Sequence, residues 1–95
     1  MEITKEAVVG TLESSDAMIQ IAPCGEIDIT ISSSVGAQFK EAIEKVIQDT
    51  LEEFKIKKAK IVVKDKGALD CVLRARMITA ITRSTNEKIE WKQLI

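Results

Sequence analysis

The sequence predicts an α+β domain in two layers, with an antiparallel sheet of about four strands and two helices on one face of it. Four short segments are rich in residues that favour strands. Two longer segments repeat apolar residues every three or four positions, which indicates amphipathic helices. A chain of 95 residues is long enough for one hydrophobic core, so we expect a single domain over 1–95.

The first three strands are separated by turns. Residues 7–12 and 17–22 favour strands, and the polar stretch 13–16 between them predicts a turn. A proline and a glycine in 23–25 predict the next turn. Residues 26–31 alternate polar and apolar side chains, the pattern of a strand with one buried face. The side chains expected to face the core are Ile27, Ile29 and Ile31.

The most regular helical pattern follows the serines at 32–34, which offer a hydroxyl to cap the start of the helix. Charged residues occupy the opposite face, which we interpret as solvated. The positions that recur at three- and four-residue spacing are Val35, Phe39, Ala42, Ile43, Val46, Ile47, Thr50, Leu51 and Phe54.

The second half of the chain predicts one more strand and one more helix. Residues 60–63 are a lysine followed by three β-branched residues, which predicts a strand, and residues 65–67 are typical of a turn. Residues 68–84 fit a helix; part of them also alternates like a strand, but the length of the pattern favours the helix. From about residue 85 the tail is mixed, and we expect it to be partly ordered, with Trp91 as its anchor.

Composition excludes several classes of function. The net charge of −1 gives no positive field for nucleic acid. The apolar runs are too short to span a bilayer, and the first residues do not resemble a signal peptide, so we expect a cytoplasmic protein without a membrane partner. The two cysteines lack the spacing of a zinc site, and no metal site is expected. The absence of histidine disfavours an enzyme, because histidine is the commonest general base.

The turn over 10–16 is the first candidate site. Glycine, serine and aspartate are common in ordinary hairpin turns, so the residues alone favour a purely structural interpretation. A turn would also display a serine hydroxyl where another enzyme could reach it and modify it. Ser14 and Ser15 are both suitable on this argument.

The run Gly10-Thr11-Leu12-Glu13-Ser14 resembles the N-terminal signature of the citrate lyase acyl carriers, the gamma subunits of citrate lyase. A second run over 65–71, followed by Arg74-Ala75-Arg76, resembles another characteristic stretch of that family. The resemblance continues through Ser33-Ser34-Val35 and covers the chain to about Arg83. It implies that Ser14, which follows Glu13 in the motif, is the attachment site of a prosthetic group.

The resemblance also implies a function. In that family a phosphoribosyl-dephospho-coenzyme A arm is joined to the serine through a phosphodiester, and its thiol carries acetyl and citryl groups while citrate is cleaved to acetate and oxaloacetate. The implied partners are the alpha and beta subunits of citrate lyase, the prosthetic-group transferase, and the citrate lyase ligase that acetylates the arm. The carrier itself is not catalytic; it positions a cofactor that supplies the reactive sulfur.

The second run has a structural interpretation as well. Gly67 would relieve backbone strain in a connection from strand to helix, and an acidic residue would stabilise the start of that helix. Arg74, Arg76 and Arg83 could contact acidic partner surfaces or phosphates of the arm, but ordinary surface exposure is the interpretation that we favour. We expect Cys71 to be a core or half-buried thiol.

Two alternative functions stay open on the sequence. The carrier of malonate decarboxylase uses a similar arm, although the two motifs favour citrate lyase. The other alternative is an interaction or ligand-binding module in which Ser14 is only a turn residue. Turnover by the purified protein in the absence of any partner subunit would exclude the carrier interpretation.

Overall fold

This computed structural model describes residues 2–33 and 39–85. The described residues form four strands and two helices, joined by turns and loops. The strands are β1 (Ala7–Gly10), β2 (Ala17–Ala22), β3 (Ile27–Ser33) and β4 (Ala59–Asp65). The helices are α1 (Lys40–Glu53), between β3 and β4, and α2 (Asp70–Ser84), after β4. This order confirms the predicted α+β class.

The sheet is mixed, with the strand order β1-β2-β4-β3. β2 pairs antiparallel with both β1 and β4, as predicted. β3 pairs parallel with β4, so the expectation of an antiparallel sheet is wrong at this edge. The reason is the connection: the stretch that contains α1 is long enough to carry the chain back to the end of the sheet where β3 began.

The core lies between one face of the sheet and the two helices. Along β2 and β4 every second side chain is buried, and the residues between them are more exposed, as period-two patterning requires. The helices contribute an apolar stripe each, packed against the sheet and against one another. The completely or almost completely buried core side chains include Ile19, Ile21, Ile47, Leu51, Ile61, Val63, Leu73, Met77 and Ile81.

Strand β3 departs from the predicted burial. Ile31 is buried, Ile29 is half-buried against the core, and Ile27 is 40% exposed. Ile27 was therefore wrongly placed in the core. It is the first residue of an edge strand, which has a neighbour on one side only, so alternation alone overestimates its burial.

Helix α2 starts two residues later than the pattern indicated, and the described part of α1 starts at Lys40. Ser32 and Ser33 belong to β3 and do not cap α1. Phe39 precedes α1 and provides no side-chain cap, while Ser34 and Val35 lie outside the described residues. The helical interpretation of the second segment is confirmed as α2. The expected ordering of the tail around Trp91 also falls outside the described residues.

The two candidate segments, the turn over 10–16 and the run over 65–71, lie at the same end of the sheet. Gly10 is paired with Met18 at the end of β1, and Ala17 at the start of β2 is opposite Asp65 at the end of β4. The β1–β2 turn and the β4–α2 loop therefore leave the sheet side by side.

Candidate functional site

Ser14 lies in the β1–β2 turn and is exposed to solvent. Gly10 leads into this turn with φ +93°, a conformation that disfavours other residues. A Cβ atom on Gly10 would lie 1.9 Å from the carbonyl oxygen of Ala17, so the start of β2 passes directly against the glycine. The narrow entry to the turn thus depends on a residue without a side chain.

The carboxylate of Asp16 holds the turn together. One oxygen accepts hydrogen bonds from the Ala17 N–H at 2.7 Å and the Arg76 Nε–H at 3.1 Å. The other accepts from the Thr11 hydroxyl at 2.6 Å and from Nη2 of Arg76 at 3.0 Å. The Thr11 hydroxyl, the Ala17 N–H and Arg76, in that order, lower the pKa of Asp16 from 3.8 to about 2. The carboxylate therefore stays ionised near neutral pH.

Arg76 reaches this carboxylate from α2. We expected it to be an ordinary surface residue, but its guanidinium grips both oxygens of Asp16, and such a forked contact fixes orientation as well as distance. Arg74 is also paired, through a 2.6 Å contact with Glu53 on α1, whereas Arg83 is exposed. The sequence gives no signal for the Asp16–Arg76 pair, because the two residues are far apart in the chain.

Backbone hydrogen bonds join the turn to the β4–α2 loop. The Ser15 N–H donates to the Lys66 carbonyl at 2.8 Å, and the Lys66 N–H donates to the Asp16 carbonyl at 2.9 Å. Ser15 adopts φ 65°, which turns its N–H group towards this contact. The two segments that carried the sequence resemblance thus form one structural unit, and Ser14 immediately precedes the junction.

Asp65 organises the loop on the other side of this junction. Its side chain is buried, and one oxygen accepts hydrogen bonds from the N–H groups of Gly67 at 3.2 Å and Ala68 at 2.9 Å. The other oxygen accepts from the Ser33 hydroxyl at 3.0 Å. Gly67 has φ +93°, which supports its predicted role in relieving strain. A buried carboxylate with three such donors shapes the loop that leads into α2.

The remaining candidate residues make fewer contacts with the rest of the protein. Glu13 has an exposed side chain, and its backbone carbonyl accepts a hydrogen bond from the Asp16 N–H. Cys71 is exposed at the start of α2, so the expectation of a core or half-buried thiol is wrong; the first turn of the helix turns it outward. Cys24 is partly buried at the opposite end of the sheet, and both thiols are free.

The described part of the chain contains no cluster of three potential metal ligands. Neither α1 nor α2 has the length and apolar character that crossing a bilayer demands.

The chemistry available at Ser14 is that of an acceptor. Among the described residues, none forms a hydrogen bond with its hydroxyl, and the chain has no histidine to deprotonate it. An exposed hydroxyl on a turn that is fixed on both sides suits attachment of a group by a separate enzyme. These residues therefore fit a phosphodiester-linked arm, which needs an open hydroxyl and no enclosing pocket.

Comparison with known proteins places the chain among carriers. The profile of a family described as "ACP: Malonate decarboxylase delta subunit (MdcD)" matches residues 4–84. The chain is 50% identical to a citrate lyase acyl carrier protein of Haemophilus ducreyi, over 100% of both chains. It is 46% identical to the corresponding protein of Pectobacterium atrosepticum, over 99% of this chain and 100% of the relative.

A similar fold occurs in a solved structure. The crystal structure of a Pseudomonas malonate decarboxylase hetero-tetramer in complex with malonate contains a chain that matches with a TM-score of 0.77 and 19% sequence identity. The match covers 87% of both chains. At this low identity the likeness establishes the fold alone.

Proposed function

Since this chain belongs to the family of citrate lyase acyl carrier proteins and malonate decarboxylase delta subunits, we propose that it is the acyl carrier of a citrate lyase, with Ser14 as the attachment site. The whole chain, 1–95, is the carrier domain in this proposal. The protein is a non-catalytic carrier subunit, as its relatives are named. The observation that carries the assignment of Ser14 is its exposed position in a turn anchored by Asp16 and Lys66.

The proposed prosthetic group is phosphoribosyl-dephospho-coenzyme A, joined to Ser14 through a phosphodiester. When bound, it supplies a thiol that carries acetyl and citryl groups as thioesters. The contribution of the chain is to fix the point from which the arm extends. Asp16 and Arg76 do so by holding both ends of the turn, and a fixed tether raises the effective concentration of the arm at a docked active site.

Ser14 is preferred over Ser15 for a structural reason. Both are exposed, but Ser15 is held in a left-handed conformation and its N–H is bonded to Lys66. A transferase has to close around the acceptor hydroxyl, and Ser14 stands one residue further from this junction. The proposed partners are the transferase, the citrate lyase ligase, and the alpha and beta subunits that act on the loaded arm.

Co-expression with a citrate lyase prosthetic-group transferase tests the assignment. We expect the intact mass of the wild type to rise by the mass of the arm, with the modified peptide mapping to Ser14. Ser14→Ala should abolish the increase, and Ser15→Gly should retain it, because glycine accepts the left-handed conformation of that position. An unmodified wild type, alongside a modified citrate lyase carrier in the same cells, would contradict the proposal.

A malonate decarboxylase carrier is the second candidate, because the family profile bears that name and the fold matches a chain of a malonate decarboxylase. The relatives at about half identity over the full chain favour citrate lyase. Holo-protein added to the catalytic subunits of each complex separates the two. We expect cleavage of citrate with citrate lyase subunits and no decarboxylation of malonate with the other set.

A further inference from the structure

An open apolar cleft of about 660 Å³ lies between the start of α1 and the loop that leads into α2. Two of its wall residues, Phe39 and Leu69, are large apolar side chains that remain 46% and 70% exposed. Apolar surface left in water is unfavourable by about 25 cal/mol per Å², so a cleft with such walls gains from an occupant. The other lining residues are Ala42, Ile43, Asp65, Gly67, Ala68, Asp70 and Cys71, so the surface is mainly apolar with two carboxylates at the side of the β4–α2 loop.

The cleft is connected to the turn that carries Ser14. Ala68 lies two residues beyond Lys66, whose backbone is bonded to Ser15 and Asp16. A smaller hollow of about 310 Å³ is lined by Leu12 of the turn and by Lys66, and Asp65 borders both this hollow and the cleft. A group attached to Ser14 therefore starts beside the β4–α2 loop, the same loop that forms one wall of the cleft.

The chemistry of the cleft suits a pantetheine. Its volume falls in the range of about 300 to 1,000 Å³ that is usual for small-molecule sites. Apolar walls match the methyl and methylene groups of a pantetheine. Leu69 precedes α2 and the helix begins without a side-chain cap; the Val72 N–H donates to the Leu69 carbonyl, which leaves the N–H groups of Asp70 and Cys71 for amide carbonyls of such a ligand.

We propose that this cleft holds the pantetheine portion of the Ser14 arm while the carrier is not docked on a catalytic subunit. The inference rests on the proposed function, because it requires the arm. The cleft-bound state keeps the end of the arm close to Cys71, which is exposed at the cleft wall. Docking on a catalytic subunit then has to release the arm from the cleft.

The thiol of Cys71 allows the proposal to be tested by disulfide trapping. Holo-protein with a free arm thiol is treated with diamide. The two thiols lose their hydrogens, the sulfurs join, and diamide takes up both hydrogens and is reduced to the hydrazine. We expect loss of the arm thiol and the Cys71 thiol together, with the linked peptides identified by mass. Cys24, at the other end of the sheet, should keep its thiol.

A cysteine at a second position tests whether trapping requires binding in the cleft or only proximity to Ser14. Ala75 is exposed one helical turn beyond Cys71, and it is adjacent to Arg76, which contacts the Ser14 turn itself. It does not line the cleft. In a Cys71→Ser, Ala75→Cys protein, nearness alone would give trapping at least as fast as in the wild type. We expect clearly slower trapping.

Filling the cleft provides the complementary variant. Ala42→Phe places a large side chain at an exposed wall position on α1, where folding should tolerate it. We expect trapping at Cys71 to fall, while the reaction of Cys71 with iodoacetamide in the apo-protein stays unchanged. Circular dichroism and melting of the variant confirm that the fold is retained.

The outcomes distinguish this inference from the proposed function. If the mass shows no arm on Ser14, both fail. If the arm is present but the wild type traps no faster than the Cys71→Ser, Ala75→Cys protein, or if Ala42→Phe has no effect, the cleft does not hold the arm. The carrier function would then stand, with the cleft assigned to a partner-protein surface.

Discussion

Gly10 provides the sharpest test of how the turn is built. A Cβ atom at this position would lie 1.9 Å from the carbonyl oxygen of Ala17 and 3.0 Å from its carbonyl carbon. Both are backbone atoms, so no side-chain rotation can relieve the overlap. The change Gly10→Ala must therefore push the end of β1 away from the start of β2, at the base of the Ser14 turn.

The expected cost has two parts. Placing alanine at φ +93° costs about 1 to 2 kcal/mol, because the Cβ atom approaches its own backbone. Relieving the overlap requires a backbone shift of the kind seen in overpacked cores, which costs about 1 to 3 kcal/mol. We therefore expect Gly10→Ala to lower the free energy of unfolding by about 2 to 5 kcal/mol. The lower value corresponds to a decrease in Tm of about 8 to 16 °C for a domain of this size.

Gly25 is the matched control. It lies in the β2–β3 turn, a Cβ atom there would meet nothing within 4 Å, and its φ is not in the left-handed region. Gly25→Ala should leave the Tm unchanged or raise it slightly, because alanine restricts the unfolded chain. Thermal melts of the three proteins under one buffer condition decide the matter. If Gly10→Ala melts within a few degrees of Gly25→Ala, our account of the β1–β2 contact is wrong.

Two further predictions concern Asp16 and its arginine. Arg76→Ala should slow attachment of the arm, because Asp16 loses the contact that orients the turn, whereas Arg74→Ala, which removes an exposed pair with Glu53 from the same helix, should not. The attachment rates are compared at a temperature where circular dichroism shows both variants to be folded, and equal rates would contradict the positioning role. The pKa of Asp16 is lowered by folding from 3.8 to about 2, so its contribution to stability is present above about pH 4 and is lost as the pH falls towards 2. The difference in Tm between the wild type and Asp16→Asn should accordingly shrink over that range, and a difference that is constant from pH 5 to pH 2 would refute this assignment.

Local sequence patterns predicted where the strands and helices lie but not how the strands pair. Residues that favour strands located β2 at its observed bounds and placed β4 within two residues, because β-branched side chains fit the half-buried surface of a sheet. Alternation does not encode the direction of pairing, so the parallel contact between β3 and β4 was not visible. It also does not reveal that Ile27 begins an edge strand, which is why its burial was overestimated.

The candidate site was predictable in its residues but not in its connections. The turn with Ser14 and the 65–71 segment were both recognised, yet nothing in the sequence indicated that Ser15 and Lys66 exchange backbone contacts. The hydrogen bonds of Arg76 and the burial of Asp65 were missed for the same reason. Such contacts depend on the register of β2 against β4, which is a property of the assembled sheet.

The backbone contacts of Lys66 with Ser15 and Asp16 determine at which stage of folding the Ser14 turn takes its final shape. They join segments from opposite halves of the chain, so the turn has its final shape only after β2 and β4 have paired. A transferase that recognises that shape would load mature subunits and pass over nascent or damaged ones. In the proposed function, attachment of the prosthetic group would then be restricted to carriers whose sheet is already formed.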